Sequence, residues 1–516
     1  VKRNARLASL IALALSACGP AAEPLSPPTP LPPPLTATPS ATATVSAAPD
    51  FRASPPVSGP EIVFSPPRFE EAKLSNGARV LVAERHELPL VALKISFDRG
   101  ADQAGSGVAG FTSGMLFQGT TKRSAIALSD ELRALGVMVE AAADHDAITV
   151  SANCLVDKLP AALEIVADVL QHPAFAKDEI ERLRSRRITT LLQQNDQPAA
   201  LLTKTALALL YPAGHPYQLS LLGDEASVKA VSAADLRKFH RENMVPERMT
   251  VAVAGDVQKA EIVPVLERAF AGWKGSAPAP SVPGKPVGAS GPKIILVDRP
   301  GLTQSSVSVT VVGPPRITAD HDAIALMNTL LGGHYSSRLN ANLRERNAYT
   351  YGARSSFDFR RGPGPFSAAA TVVREQTGPA IREIFAEIKR MREEPVSEQE
   401  LSDARVRAIR RLPARFESAS ETAGAMIDLA LFGLPLDEYA TLASRLRKLT
   451  REDVQRAAAT YLAEEGLRVV VVGDGKVVKA QLDALGMGEV LVKASEKAPA
   501  KPAAGKAAPG KPAKKK

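Results

Sequence analysis

The sequence predicts an α+β protein made of two tandem homologous α/β-sandwich halves, each an antiparallel-type sheet covered by helices. Three observations carry this. Alternating apolar strands are interleaved with helical runs along most of the chain. One ending occurs twice, at the same offset of 218 residues. Val231-Ser232-Ala233-Ala234-Asp235-Leu236 recurs as Leu449-Thr450-Arg451-Glu452-Asp453-Val454, each an apolar residue, an N-capping hydroxyl and an Asp three positions on. Met249 to Asp256 recurs as Leu467 to Asp474, both strand-like runs closing on Gly-Asp. A stretch rich in Pro, Gly, Ser and Ala, residues 275–292, separates the repeats. Two agreeing offsets indicate a tandem duplication.

Taken in order, Arg79 to Arg85 reads as a strand, and Val91 to Phe97 as a second with apolar residues at Val91, Leu93, Ile95 and Phe97. A helix from about Ser124 stops at Gly136, a natural C-cap. Val137 to Ala142 and Ala147 to Ala152 read as strands. Leu159 to Leu170, Lys177 to Gln194 and Pro198 to Leu210 read as helices. Ser232 opens another helix, and Met249 to Ala254 is the closing strand. In the second half, Ile294 to Arg299 matches Val80 to Arg85, the strand Ser305 to Val312 follows, and Val396 to Leu401 matches Phe175 to Ile180.

The 516 residues exceed one ordinary domain, and 45% hydrophobic content suffices for packed cores. The net charge of +9 sits at the ends. Lys2, Arg3 and Arg6 open the chain, and eight Lys face one Glu from Lys493 onward. The body between is close to neutral, which argues against a nucleic-acid enzyme built around a basic groove. The two cysteines, Cys18 and Cys154, cannot form a disulfide framework or a four-Cys zinc site.

Residues 1–17 read as a signal peptide, with a charged start and a short apolar run too short to span a bilayer. Leu15-Ser16-Ala17-Cys18 resembles a bacterial lipobox, which implies cleavage before Cys18 and lipidation of its thiol; the alternative is an ordinary signal peptide containing a cysteine. Gly19 resembles the signal for sorting to the outer membrane. The expected location is the bacterial cell envelope, lipid-anchored and facing the periplasm. Residues 18–67 form a Pro/Ala/Thr-rich tether, 68–274 the first folded domain, 293–490 the second, and 491–516 a Lys/Ala/Pro-rich tail.

Several stretches resemble the pitrilysin/insulinase family of zinc metallopeptidases. In the first half these are Leu74-Ser75-Asn76-Gly77, Gly107 to Thr120 and His215-Pro216-Tyr217. In the second they are Leu331-Gly332-Gly333, Ser337-Arg338-Leu339, Leu343-Arg344-Glu345 and Arg361 to Phe366. The family's catalytic signature is HxxEH on a helix: two His one turn apart bind zinc, the Glu between them polarises water, and a distal Glu completes the ligands. Aligned on Gly107 and Met115-Leu116-Phe117, this chain places Gly110 and Gly114 at the His positions and Ser113 at the base. The distal Glu falls near Thr190 or Leu191. None of these residues can ligate zinc or act as a general base. No two of the seven His share a helical spacing, so no intrinsic metal is expected. Asp144-His145-Asp146 reads as a polar surface turn, His215 as a structural turn residue and His334 as a loop residue.

The resemblance implies one further constellation, an Arg and a Tyr seven residues apart that the zinc-free half supplies to the active site. Arg344 and Tyr351 have that spacing, with Tyr349 as a fallback and Gly332-Gly333 as turn residues nearby. Both side chains donate hydrogen bonds, and would stabilise an oxyanion and hold a substrate backbone. The alternative is that Arg344 pairs with a local acid and Tyr351 packs at the rim of the core. Two functions follow. One is a non-catalytic subunit of a heterodimeric peptidase whose HxxEH-bearing partner carries the zinc and acts on peptides. The other is an inactive envelope lipoprotein serving as a binding or scaffold subunit.

Overall fold

The computed structural model describes residues 64–270, 272–279, 286 and 291–494. The signal segment, Cys18, most of the tether, most of the linker and the tail beyond residue 494 lie outside them.

Sheet one contains β1 (Glu70–Lys73), β2 (Arg79–Glu84), β3 (Leu90–Phe97), β4 (Met138–Ala143), β5 (Ile148–Leu155) and β6 (Met249–Gly255). Sheet two contains β7 (Ile294–Asp298), β8 (Gln304–Val312), β9 (Thr350–Phe357), β10 (Pro365–Val373), β11 (Arg468–Gly473) and β12 (Val490–Ala494). The orders are β1-β2-β6-β3-β5-β4 and β12-β7-β11-β8-β10-β9. From β2 and β7 onward the two orders correspond strand for strand, as the duplication requires. Each sheet is mixed: β3, β5 and β4 pair antiparallel, whereas β2 lies parallel to β6 and β7 parallel to β11. The halves differ at one edge, where β1 joins antiparallel and β12 parallel. β12 also carries ordered structure past residue 490, so residues 491–494 belong to the sheet rather than to the tail.

The repeated endings fold alike. Ser232 and Thr450 each accept a hydrogen bond from the backbone N–H three residues on, while Asp235 and Asp453 reach back to the cap's own N–H. Such a capping box satisfies two otherwise orphaned donors at each helix start.

One face of each sheet is covered by its own half's helices. Val91, Leu93, Ile95 and Phe97 meet Leu163, Val166 and Leu170 in the first core; Val307, Val309, Val469 and Val471 meet Ile324, Met327 and Ile384 in the second. The other face of each sheet is covered from the opposite half. The helix Ala419–Phe432 sets Ala423, Met426 and Leu429 against Leu81, Ala83, Ala92, Ala252 and Ala254 of sheet one. The helix Pro198–Leu210 sets Leu202 and Ala206 against Val297, Val470 and Val472 of sheet two. Sheets buried on both faces explain the continuous apolar runs in β6 and β11.

Candidate functional site

The degenerate motif lies on the helix Val108–Met115, which packs beside β4, the terminal strand of sheet one. Gly110 and Gly114 are four apart and face the helix Lys177–Asn195, where Arg187 takes up the space between them. A Cβ on Gly110 would collide with the Leu221 carbonyl oxygen and lie 3.5 Å from an Arg187 terminal nitrogen. A Cβ on Gly114 would lie 3.1 Å from Leu183 and 3.5 Å from the other terminal nitrogen. The guanidinium donates to the carbonyls of Gly110 and, at 3.2 Å, of Leu222. It lies 5.0 Å from the centre of the Phe111 ring. Burial pulls its pKa down to about 10, so it remains a cation at neutral pH.

Ser113 is buried and its hydroxyl donates 3.0 Å to the Gly110 carbonyl, a local bond with no base to activate it. Thr190 is exposed and bonds back to the Arg186 carbonyl at 3.0 Å, and Leu191 packs into an apolar cluster with Phe111 and Ile180. No group of His, Cys, Asp and Glu suited to a metal occurs among the described residues. The donor set does not fit zinc: two glycines, a serine and an apolar helix face offer no ligand, and a cation holds the centre. Arg187 went unread in the sequence, although a trace was there. It falls on the stripe Ile180, Leu183, Arg187, Leu191, in which an arginine is out of place unless it has a buried partner.

Arg344 and Tyr351 lie at β9, the terminal strand of sheet two and the counterpart of β4. The short helix Arg338–Asn340 runs into a π-helical turn, Ala341–Arg346, which packs on β9 and carries Arg344. Single π-turns recur at functional sites because the extra residue re-aims side chains. Ala348 follows at φ +52, a left-handed conformation that costs a non-glycine residue energy. The Arg344 guanidinium lies over the Tyr335 ring at 4.1 Å, and its Nε is 3.5 Å from Glu345. Tyr351 is 92% exposed, so it is not packed at the rim of the core. Tyr349 does pack against that core. Gly332 and Gly333 permit a close approach: a side chain on Gly332 would collide with the Ser355 amide, and one on Gly333 would meet the Thr329 Cα at 2.9 Å. Asn340 and the Gly332 carbonyl bond the outer side of β9 at Ala353 and Ser355.

The expected surface turn Asp144-His145-Asp146 reaches the surface only at Asp144, because the second half covers the other two residues. His145 and Asp146 are buried. Tyr217 donates 2.8 Å to Asp146 and accepts 2.8 Å from the Gly362 amide. Arg361 donates 2.8 Å to Asp102 and, through its own amide, 2.8 Å to Asp146. Burial raises Asp102 to about 6 against the pull of Arg361, and burial, with Arg360 nearby, lowers His145 to about 4. His215 is structural: its Nδ1 accepts from the Tyr217 amide at 3.0 Å and its ring stacks on Tyr211 at 4.8 Å. His334 accepts from the Ser336 amide at 3.1 Å within its loop.

A model of the insulinase family (peptidase family M16) matches residues 79–224, and a model of the peptidase M16 inactive domain matches residues 230–407. The chain belongs to the insulinase (M16) family. A crystal structure of a peptidase M16 inactive domain from Pseudomonas fluorescens superposes with a TM-score of 0.73 at 26% identity, over 78% of this chain and 98% of that one. A protein of Mycobacterium tuberculosis named as an uncharacterized zinc protease is 30% identical over 289 residues, 56% of this chain. The match spans 65% of that relative, under two thirds of its length. Cytochrome b-c1 complex subunit 1 of Bos taurus is 26% identical over 275 residues, 52% of this chain and 56% of that protein. Within the M16 family, this chain is a member without HxxEH.

Proposed function

We propose that the chain is the non-catalytic subunit of a two-chain M16 peptidase, giving Arg344 and Tyr351 to a peptide held at a zinc-bearing partner's centre. One observation carries this reading. Of two equivalent sheet edges, the one that should hold metal is closed around Arg187, while the other presents an exposed tyrosine and an arginine whose terminal nitrogens have no protein acceptor among the described residues. Donors so placed stabilise the oxyanion that develops on a scissile carbonyl. Zinc and general base belong to the HxxEH partner, and this chain alone contains no stoichiometric zinc and leaves unfolded peptides intact.

The test is co-purification with an HxxEH chain, followed by peptidase assays. Arg344→Ala and Tyr351→Phe should each lower kcat by about 10²–10³ without loss of assembly. Parental turnover in both assembled variants would refute the role of the pair, and failure of any HxxEH chain to bind would remove the two-chain model. Arg187 in the metal position supports a second reading, a binding or scaffold subunit of a larger envelope complex, and one relative is by name a complex subunit. In either case we propose a lipid anchor on Cys18, at the outer membrane facing the periplasm. Cys18→Ser should release the protein from membranes, and unchanged fractionation and mass would count against the anchor.

A further inference from the structure

Among the described residues, the large exposed apolar side chains include two aromatics, Tyr335 at 66% and Tyr351 at 92%. Tyr335 lies over Arg344, and Tyr351 stands on β9, the strand against which the turn carrying Arg344 packs. Exposed tyrosine beside arginine is the composition of binding hot spots, since both combine large contact area with directional donors. The backbone beneath Arg344 is held firmly. Asn342, 2% exposed, donates 2.8 Å to Glu383 and 2.7 Å to Glu387, and accepts 2.7 Å from Asn347. That leaves the swing of the Arg344 side chain as the remaining freedom. Tyr335 lies against the guanidinium and Glu345 stands by its Nε, while the two terminal nitrogens have no acceptor among the described residues and are left to donate.

We propose that Tyr335 is the positioning residue for Arg344, and that Tyr335, Arg344 and Tyr351 form one contact patch for the carbonyl or carboxylate oxygens of an extended peptide. The proposal rests on the reading of Arg344 given above. The hydroxyl of Tyr335 is not needed for a stack, so phenylalanine should replace it and alanine should not.

The first measurement uses the full chain without any partner: the rate at which an arginine-selective dicarbonyl reagent modifies Arg344, followed by mass spectrometry. Tyr335→Ala should raise that rate about two- to fivefold, and Tyr335→Phe should leave it at the parental value. The second uses the assembled complex with an HxxEH chain, where Tyr335→Ala should lower kcat with KM near parental and Tyr335→Phe should restore it. Unchanged Arg344 reactivity in Tyr335→Ala overturns the proposal. Raised reactivity with parental kcat overturns the positioning role in turnover. If no complex is active, the two-chain reading falls, while the reactivity ratio still decides whether Tyr335 holds Arg344. Tyr335 lies largely in solvent, so neither variant should impair folding.

Discussion

Arg187 ties two helices together at the position where the family places a metal. Its two carbonyl acceptors and the Phe111 face offset the cost of burying a charge that no carboxylate accompanies among the described residues. Removing it leaves the Leu222 carbonyl without its donor and the Gly110 carbonyl with one fewer. Arg187→Met should therefore cost about 1–3 kcal/mol, read from urea denaturation. The same geometry predicts that the motif cannot be restored by ligands alone. In the quadruple variant Gly110→His, Ser113→Glu, Gly114→His and Thr190→Glu, the guanidinium still fills the centre and the Leu221 carbonyl blocks the first new side chain. Zinc analysis after dialysis should find no stoichiometric metal. One tightly bound zinc in that variant, or unchanged stability in Arg187→Met, would mean that Arg187 does not hold the site closed.

At the scale of elements, what was legible was local. Period-two alternation located β3 and β8, and the Ser232/Asp235 and Thr450/Asp453 pairs located two helix starts, because both signals lie within a few residues of the structure they specify. The crossing helices were legible as helices but not as crossings. Nothing within Pro198–Leu210 says that Leu202 and Ala206 will meet valines of the other half's sheet, since that partner is set by the assembly of both halves. The burial of His145 and Asp146 is not legible for the same reason, as Arg361 and Gly362, which bond Asp146 and Tyr217, come from the second half. The π-turn under Arg344 depends on Glu383 and Glu387 of the later helix Thr377–Glu393. The spacing of Arg344 and Tyr351 could be read from the sequence, whereas the stack on Tyr335 and the left-handed Ala348 could not, because both follow from how that turn is anchored.

Over the whole molecule the halves are joined by the exchanged helices, by the polar seam of Asp102, Asp146, Tyr217 and Arg361, and by further bonds such as Arg85 to the Phe416 carbonyl and Tyr211 to the Pro363 carbonyl. The apolar contacts are indifferent to pH and the seam is not. His145 is lowered from 6.5 to about 4, so its contribution is present above the unfolded pKa and is lost as pH falls through about 4. Asp102 is raised from 3.8 to about 6, so its contribution is present below the unfolded pKa and is lost as pH rises through about 6. Between pH 4 and 6 the slopes oppose, each amounting to about 3 kcal/mol at most, and they largely cancel. Removing one should expose the other. Relative to the parent, Asp102→Asn should gain stability as pH rises from 4 to 6, and His145→Gln should lose it over the same range. Urea midpoints at pH 4, 5, 6 and 7, taken as variant minus parent, remove the background from other carboxylates. The loss of the Arg361 ion pair in Asp102→Asn sets the height of that curve, but the sign of its slope comes from the Asp102 titration it removes, since His145 titrates in both proteins and cancels. Difference curves that are flat for both variants would show that the seam carries no linked protons and that its hydrogen bonds hold the halves without regard to pH.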